Sequence, residues 1–126
     1  MTLSELERSL PNGLHDAQLV CIDVNFASKE ATLGLNIDVS PSDAQALGNP
    51  EYRAVRIRFL GLEFVVIDPP VTLSTSGPLM IDSGSGQPKT APCQLPQICH
   101  DCFLCWIFVS QSNSFIRICA RHVQLE

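Results

Sequence analysis

The stretch CQLPQICHDCFLCWIFV, residues 93–109, holds four of the chain's six cysteines, one of its three histidines and its only tryptophan. Thiols and an imidazole this close together suggest metal ligation or nucleophilic and redox chemistry. Cys99-x2-Cys102-x2-Cys105 superficially resembles an iron–sulfur run, with Cys93 and His100 as further donors. The usual bacterial run requires a fourth cysteine after three more residues, where this chain has Val109. A zinc-binding Cys-x2-Cys pair needs a tight turn that aims both sulfurs at one ion. Cys102 to Cys105 instead enters the apolar run CFLCWIFV, and residues three apart on a strand point to opposite faces. No glycine lies between 93 and 109 to relieve this. The expectation is therefore no bound metal and no cofactor, with Cys105 and Cys119 acting as small buried hydrophobes. A cysteine nucleophile is disfavoured as well. Cys99, His100, Asp101 and Cys102 are adjacent in sequence, whereas a catalytic pair must converge in space, and no helix start is at hand to hold a thiolate.

Two His-Asp dipeptides, His15-Asp16 and His100-Asp101, together with His122, have the residue types of a hydrolytic metal centre. The His-Asp phosphohydrolases carry such a pair on helices, and this chain reads mostly as strand. The plainer reading places each pair where a loop enters a strand, with the Asp accepting a bond from a nearby backbone N–H. IDSGSGQP, residues 81–88, has glycines but lacks the lysine and the following helix of a phosphate-binding loop. It reads as a flexible turn. Of eight basic residues, five are arginines on predicted strands: Arg53, Arg56, Arg58, Arg117 and Arg121. Arg56 and Arg58 alternate with Val55, Ile57 and Phe59, which places them on a solvated face, paired with acids such as Asp23, Asp38 or Glu63. If the strands of 52–60 and 115–123 are neighbours, Arg56, Arg58, Arg117 and Arg121 form a basic patch suited to an acidic partner or a second copy of the chain. No catalytic residue is assigned; the candidate binding residues are these four arginines with His15 and Asp16.

These residues must be positioned by a chain of 126 residues with net charge −5, pI about 5.0 and 45% hydrophobic content. That length favours one domain over 1–126, large enough to bury roughly two thirds of its unfolded surface without disulfides or metal. The acidity argues against nucleic acid. The N-terminus MTLSELERSL lacks the apolar core of a secretory signal, and no apolar run approaches the ~20 residues of a membrane span. A cytoplasmic setting with reduced cysteines is expected.

The periodicity predicts a short N-terminal helix with Leu3, Leu6 and Leu10 on one side, ended by PNG at 11–13. Val20, Ile22, Val24 and Phe26 alternate with polar residues, as do Leu33, Leu35, Ile37 and Val39. A hairpin with Phe26 facing Ala31 puts both sets on one face. SPSDAQALG at 40–48 has helical start and stop signals. YRAVRIRFL and LEFVVID read as strands either side of Gly61. Residues 69–98 form a long proline-rich surface excursion, with PLMID at 78–82 as a short edge strand. FLCWIFV and FIRICARHV form a final hairpin. Pairing Val109 with Phe115 sets Trp106 against Ile118 in the core, Ile107 against Arg117 and Cys105 against Cys119.

The segments LPNGLHDAQL, YRAVRIRFLGLEFVVIDPP and WIFVSQSNSFIRICARHVQLE together resemble a group of small bacterial proteins of unknown function. That group has an HDA strand start, a GL–VI-PP segment and a terminal FFVN-WN-FI hairpin, and is similar to some immunity proteins that neutralise bacterial toxins. Ser110 and Ser112 stand where the pattern has Asn and Trp, Asn113 is kept, and the cysteine cluster lies outside the pattern. The resemblance implies a fold and supplies no activity.

The expected architecture is a mainly β, antiparallel sheet of five to seven strands with a short N-terminal helix, forming a partly open barrel or a small sandwich. The expected function is a non-catalytic cytoplasmic binding module, in its specific form an immunity-type protein that masks a partner. The partner would be another protein or the chain itself, with no nucleic acid and no membrane. The alternative is a small hydrolase or metal-dependent enzyme using His15, Asp16, His100 and Asp101.

Overall fold

The computed structural model describes residues 1–41, 51–74, 76–87 and 94–126. Helix α1 (Leu3–Arg8) precedes β1 (Ala17–Asn25), β2 (Glu30–Asp38), β3 (Tyr52–Leu60), β4 (Phe64–Asp68), β5 (Leu79–Ser85), β6 (Phe103–Val109), β7 (Ser114–Ala120) and β8 (His122–Leu125). The strands make one open antiparallel sheet in the order β4-β7-β6-β5-β1-β2-β3-β8. The mainly β expectation holds. The described residues form eight strands because the segment expected as one strand over 115–123 divides at Arg121. The helix expected at 40–48 falls largely on residues outside those described. No helix among the described residues is long and apolar enough to cross a membrane.

The helix begins where its residues require. The Thr2 side chain accepts from the Glu5 N–H at 3.3 Å, and the Glu5 carboxylate accepts from the Thr2 N–H at 2.7 Å. This reciprocal cap satisfies two otherwise orphaned donors. Leu3, Leu6 and Leu10 are buried, as their spacing predicts. The polar side rests on β5, where Ser83 donates to the Glu7 carboxylate and the Ser4 and Ser85 hydroxyls meet.

The core joins the helix to Leu33, Leu35 and Ile37 of β2, Val55, Ile57 and Phe59 of β3, and Ile107, Ile116 and Ile118 of β6 and β7. The first hairpin has its expected faces but is shifted by two residues: Asn25 pairs with Glu30 and Val24 with Ala31. An even shift leaves side chains on their faces. A bulge between Leu19 and Cys21 then changes the parity. Ala17 and Leu19 pack inward before it, Ile22 and Val24 after it, and Val20 is turned out, 64% exposed. Phe26, also expected in the core, lies in the turn and is 85% exposed.

The last hairpin departs further. Val109 pairs with Ser114, one residue from the expected register, across a turn in which Asn113 has a positive φ of 53°. An odd slip exchanges the two faces. Ile107 therefore meets Ile116, Cys105 meets Ile118, and Trp106 meets Arg117. The indole lies on the opposite face from the main core, edge-on to Phe115 at 5.6 Å. It covers Gly84, its partner on β5, so closely that a Cβ there would sit 2.2 Å from the ring. Residues 79–85, expected as an edge strand and a flexible turn, form an interior strand between β1 and β6. The bare backbone of Gly84 is the floor for the indole.

Two corners complete the frame. β3 reaches β4 through Gly61–Glu63, and β7 reaches β8 through Arg121 alone. β3 pairs with β8 and β4 with β7, so one ribbon bends and contributes both edge strands of the sheet. Hydrogen bonding continues through the bend, with the Arg121 N–H on the Leu60 carbonyl at 3.1 Å and the Glu63 N–H on the Cys119 carbonyl at 2.8 Å. Gly61 has φ +61°, and a Cβ there would lie 2.9 Å from the Arg121 side chain. Glycine suits this position on both counts.

These registers make a discriminating expectation. Gly84→Ala should destabilise the fold by about 1–3 kcal/mol through overpacking against the indole. Ile107→Ala should cost about 2–5 kcal/mol as a core truncation. Urea denaturation measures both. An unchanged midpoint for Ile107→Ala would place that residue outside the core and restore the other register.

Candidate functional site

The strand corner assembles the densest group of reactive side chains among the described residues. Cys99 to Cys102 forms a turn closed by the Cys102 N–H on the Cys99 carbonyl at 3.1 Å. Cys102 precedes Leu104 by two residues, and Leu104 pairs with Cys119. Alternation therefore sets Cys102 on the same face as Cys119. The Cys102 thiol donates to the Asp101 carboxylate at 3.9 Å. Glu63, tied by its backbone to Cys119, brings its carboxylate to the same place. Donor atoms of Glu63, Cys99 and Cys102 lie within 4.8 Å of one another, the first two residues exposed and Cys102 half-buried. Arg121 flanks the group, 3.5 Å from the Glu63 carboxylate and 3.6 Å from that of Asp101.

The thiols differ in character. Burial, then neighbouring Cys99, Asp101 and Glu63, pushes the Cys102 thiol up. Burial raises Cys119 to about 11, with Cys102 next in effect. Cys105 points into the core from the opposite face of β6, and burial pushes it up to about 12. Cys102 and Cys105 thus diverge, as strand geometry requires. The expectation of no metal had considered partners within the segment. Cys119 and Glu63 come from β7 and from the corner before β4. Cys93 is outside the described residues.

The residues expected to bind are dispersed. Arg56 and Arg58 lie on the outer face of β3, but their acidic partners are Glu126 and Glu30, not Asp23, Asp38 or Glu63. Arg56 is 3.3 Å from Glu126; Arg58 is 2.9 Å from Glu30 and 3.7 Å from Glu126. Arg121 belongs to the cysteine corner. Arg117 is fully buried, its guanidinium 5.5 Å from the Phe115 ring centroid, between Val66 and Trp106 on the neighbouring strands. The expected four-arginine patch is therefore not formed, because the aromatic face of the last hairpin encloses Arg117 and carboxylates engage the others. His15 sits between Asp16 at 3.3 Å and Asp82 at 3.6 Å, all well exposed. Asp101 pairs with Arg121, and His122 Nδ1 is 2.9 Å from the N-terminal amine. The histidines and their acids serve three separate local contacts.

A second feature adjoins the corner. An open groove of about 600 Å³ runs between the tip of the β1–β2 hairpin and β4, lined by Val24, Phe26, Leu62, Phe64, Val65 and Ile67, with Lys29 and Glu63 as its polar groups. The Leu62 N–H donates to the Lys29 carbonyl at 2.9 Å and fixes the hairpin tip to the corner. Phe26 and Ile67 are 85% and 43% exposed. β4 pairs with β7 on one side, and no strand among the described residues pairs with its other side. The opposite end of the sheet is covered: the Val123 N–H of β8 donates to the Met1 carbonyl at 3.1 Å, and α1 packs beside it.

Comparison with protein-family models, with curated proteins and with solved structures finds no match to this chain.

Two outcomes follow for the surface chemistry. With the protein reduced and metal-free, exposed Cys21 should alkylate readily under native conditions, and Cys105 only on unfolding; peptide mass mapping reads the order. Rapid native alkylation of Cys105 would contradict its place in the core. Charge reversal at Arg56 should cost no more than about 1 kcal/mol, as expected of an exposed pair. A denaturation midpoint shifted well beyond that would make it a structural residue.

Proposed function

We propose that this protein is a non-catalytic binding module that takes an extended segment of a protein partner as an added strand along β4. The observation that carries this reading is the open side of β4 beside an apolar groove, at a sheet whose other end is covered by Met1 and α1. An unpaired strand edge presents a row of backbone donors and acceptors, and native proteins usually blunt it. An incoming strand would satisfy those groups, and its alternate side chains would occupy pockets beside the edge. Phe26, Phe64, Val65 and Ile67 offer such apolar surface. β4 has five residues and ends at Pro69 and Pro70, which limits the added strand to a short motif.

The hydrolytic alternative has less support. It requires His15, Asp16, His100 and Asp101 to converge, and His15 keeps to Asp82 while Asp101 keeps to Arg121. The net charge of −5 favours a basic partner, whose approach would be steered and salt-sensitive. An immunity-type role, masking a basic toxin surface, is the specific form of this reading.

Phage-displayed random peptides selected on the full chain test it. Selected peptides should show apolar residues in alternation. They should bind at least tenfold more weakly to a Phe26→Lys, Ile67→Lys double variant, whose far-UV circular dichroism should match wild type. Equal binding to the double variant would overturn the assignment of the groove. Peptide-free dimers that dissociate on Ile67→Lys would assign the edge to a second copy and overturn the heterologous partner.

A further inference from the structure

We infer that the corner formed by Glu63, Cys99 and Cys102 is a zinc site. The inference is independent of the strand-addition reading: one concerns a donor set at the bend, the other the outer side of β4.

The donor chemistry comes first. Two thiols and a carboxylate already lie within 4.8 Å of one another, and Cys119 lies on the same face of the sheet, outside that group. Thiolates with one carboxylate suit zinc, which takes four sulfur, nitrogen or oxygen donors in tetrahedral array. Calcium and magnesium prefer oxygen shells, so the sulfurs select against them.

The backbone frame supports the same assignment. The Cys99–Cys102 turn supplies the tight reversal that a Cys-x2-Cys pair needs to aim both sulfurs at one ion. The remaining donor is the Glu63 carboxylate, whose residue is fixed by its N–H on the Cys119 carbonyl. Ligands thus come from two separate stretches of the chain, a pair from the turn before β6 and one from the corner before β4. Zinc would cross-link the start of β6 to the β4–β7 end of the sheet, beyond the last ladder bonds of β6.

The surroundings fit a charged site. Two thiolates and a carboxylate exceed the charge of one zinc ion by one. Arg121 places its guanidinium 3.5 Å from the Glu63 carboxylate. Such outer cations and donors orient ligands and offset their charge. Asp101 holds the other side of Arg121 at 3.6 Å. His100 lies within the turn and is exposed, so the imidazole is not required as a donor.

The test is cobalt and zinc titration of the full chain, reduced and stripped of metal. Cobalt(II) should bind at one ion per chain, with thiolate-to-cobalt charge transfer in the near ultraviolet and intense visible bands of tetrahedral geometry. Stoichiometric zinc should bleach both. Cys99→Ser, in an exposed turn, should lose most of the charge-transfer intensity, as should Cys102→Ser. Cys21→Ser, on β1, should leave the titration unchanged. Glu63→Gln should keep the charge transfer and shift the visible bands, because a carboxylate oxygen is lost while the thiolates stay. Near-ultraviolet circular dichroism of each variant confirms that the fold is intact. Titration without charge transfer, signal equal in Cys99→Ser and wild type, or a disulfide joining Cys99 to Cys102 in the isolated protein would each overturn the assignment.

Discussion

The bend in the β3-β4 and β7-β8 ribbon governs the rest of the molecule. Gly61 at positive φ lets β3 turn into β4 in three residues, and Arg121 turns β7 into β8 in one. Because the two strands bend together, the ladder continues through the corner: Leu60 and Cys119 accept, Arg121 and Glu63 donate. These two bonds keep four backbone groups paired at the turn, where each one left buried and unpaired would cost about 1–3 kcal/mol. One ribbon therefore contributes both ends of an eight-stranded sheet, which wraps a single core shared by β2, β3, β6 and β7.

Both candidate sites follow from that bend. The corner brings Glu63 and Cys119 together, and the turn before β6 delivers Cys99 and Cys102 to them. The same corner ends the pairing with β3 and sends β4 out as a five-residue edge. The Leu62 bond to Lys29 then holds the apolar hairpin tip across from it. His15, His122 and most of the surface arginines, which first attract attention, are engaged in short local pairs. Exposed pairs of that kind are worth little individually, and their role is to keep a polar face wetted.

Much of the fold can be read from the residues. Strand alternation identifies β1, β2, β3, β6 and β7, and the leucine spacing identifies α1. The helix cap is visible too, once Thr2 and Glu5 are seen as a pair. The errors arise where backbone parity changes without a residue-type signal. The bulge at Val20 reverses the face of β1, and a four-residue turn in place of a five-residue one reverses the last hairpin. That second slip concealed the cysteine group. With Cys105 set opposite Cys119, the remaining thiols appeared isolated. With Leu104 opposite Cys119, Cys102 falls on the same face, and the group assembles. The interior position of β5 was obscured by its glycines, which read as a turn. Gly84 is there because the Trp106 ring needs its bare backbone. Arg117 was misplaced for a related reason: periodicity identifies the face opposite the core, and here a second layer of Trp106, Phe108 and Phe115 covers that face as well.

The central claim is that one bent ribbon, bonded through its corner, leaves β4 as an open edge. Amide hydrogen exchange of the free protein, resolved residue by residue by NMR, tests it most directly. The account predicts slow exchange at Glu63 and Arg121, whose N–H groups carry the corner. It also predicts alternating fast and slow exchange along Phe64–Asp68, as an antiparallel strand paired on one side requires. Fast exchange at both corner amides would show that the ribbon is broken there. Uniformly slow exchange along β4 would show that its outer side is already paired, and the account would fail.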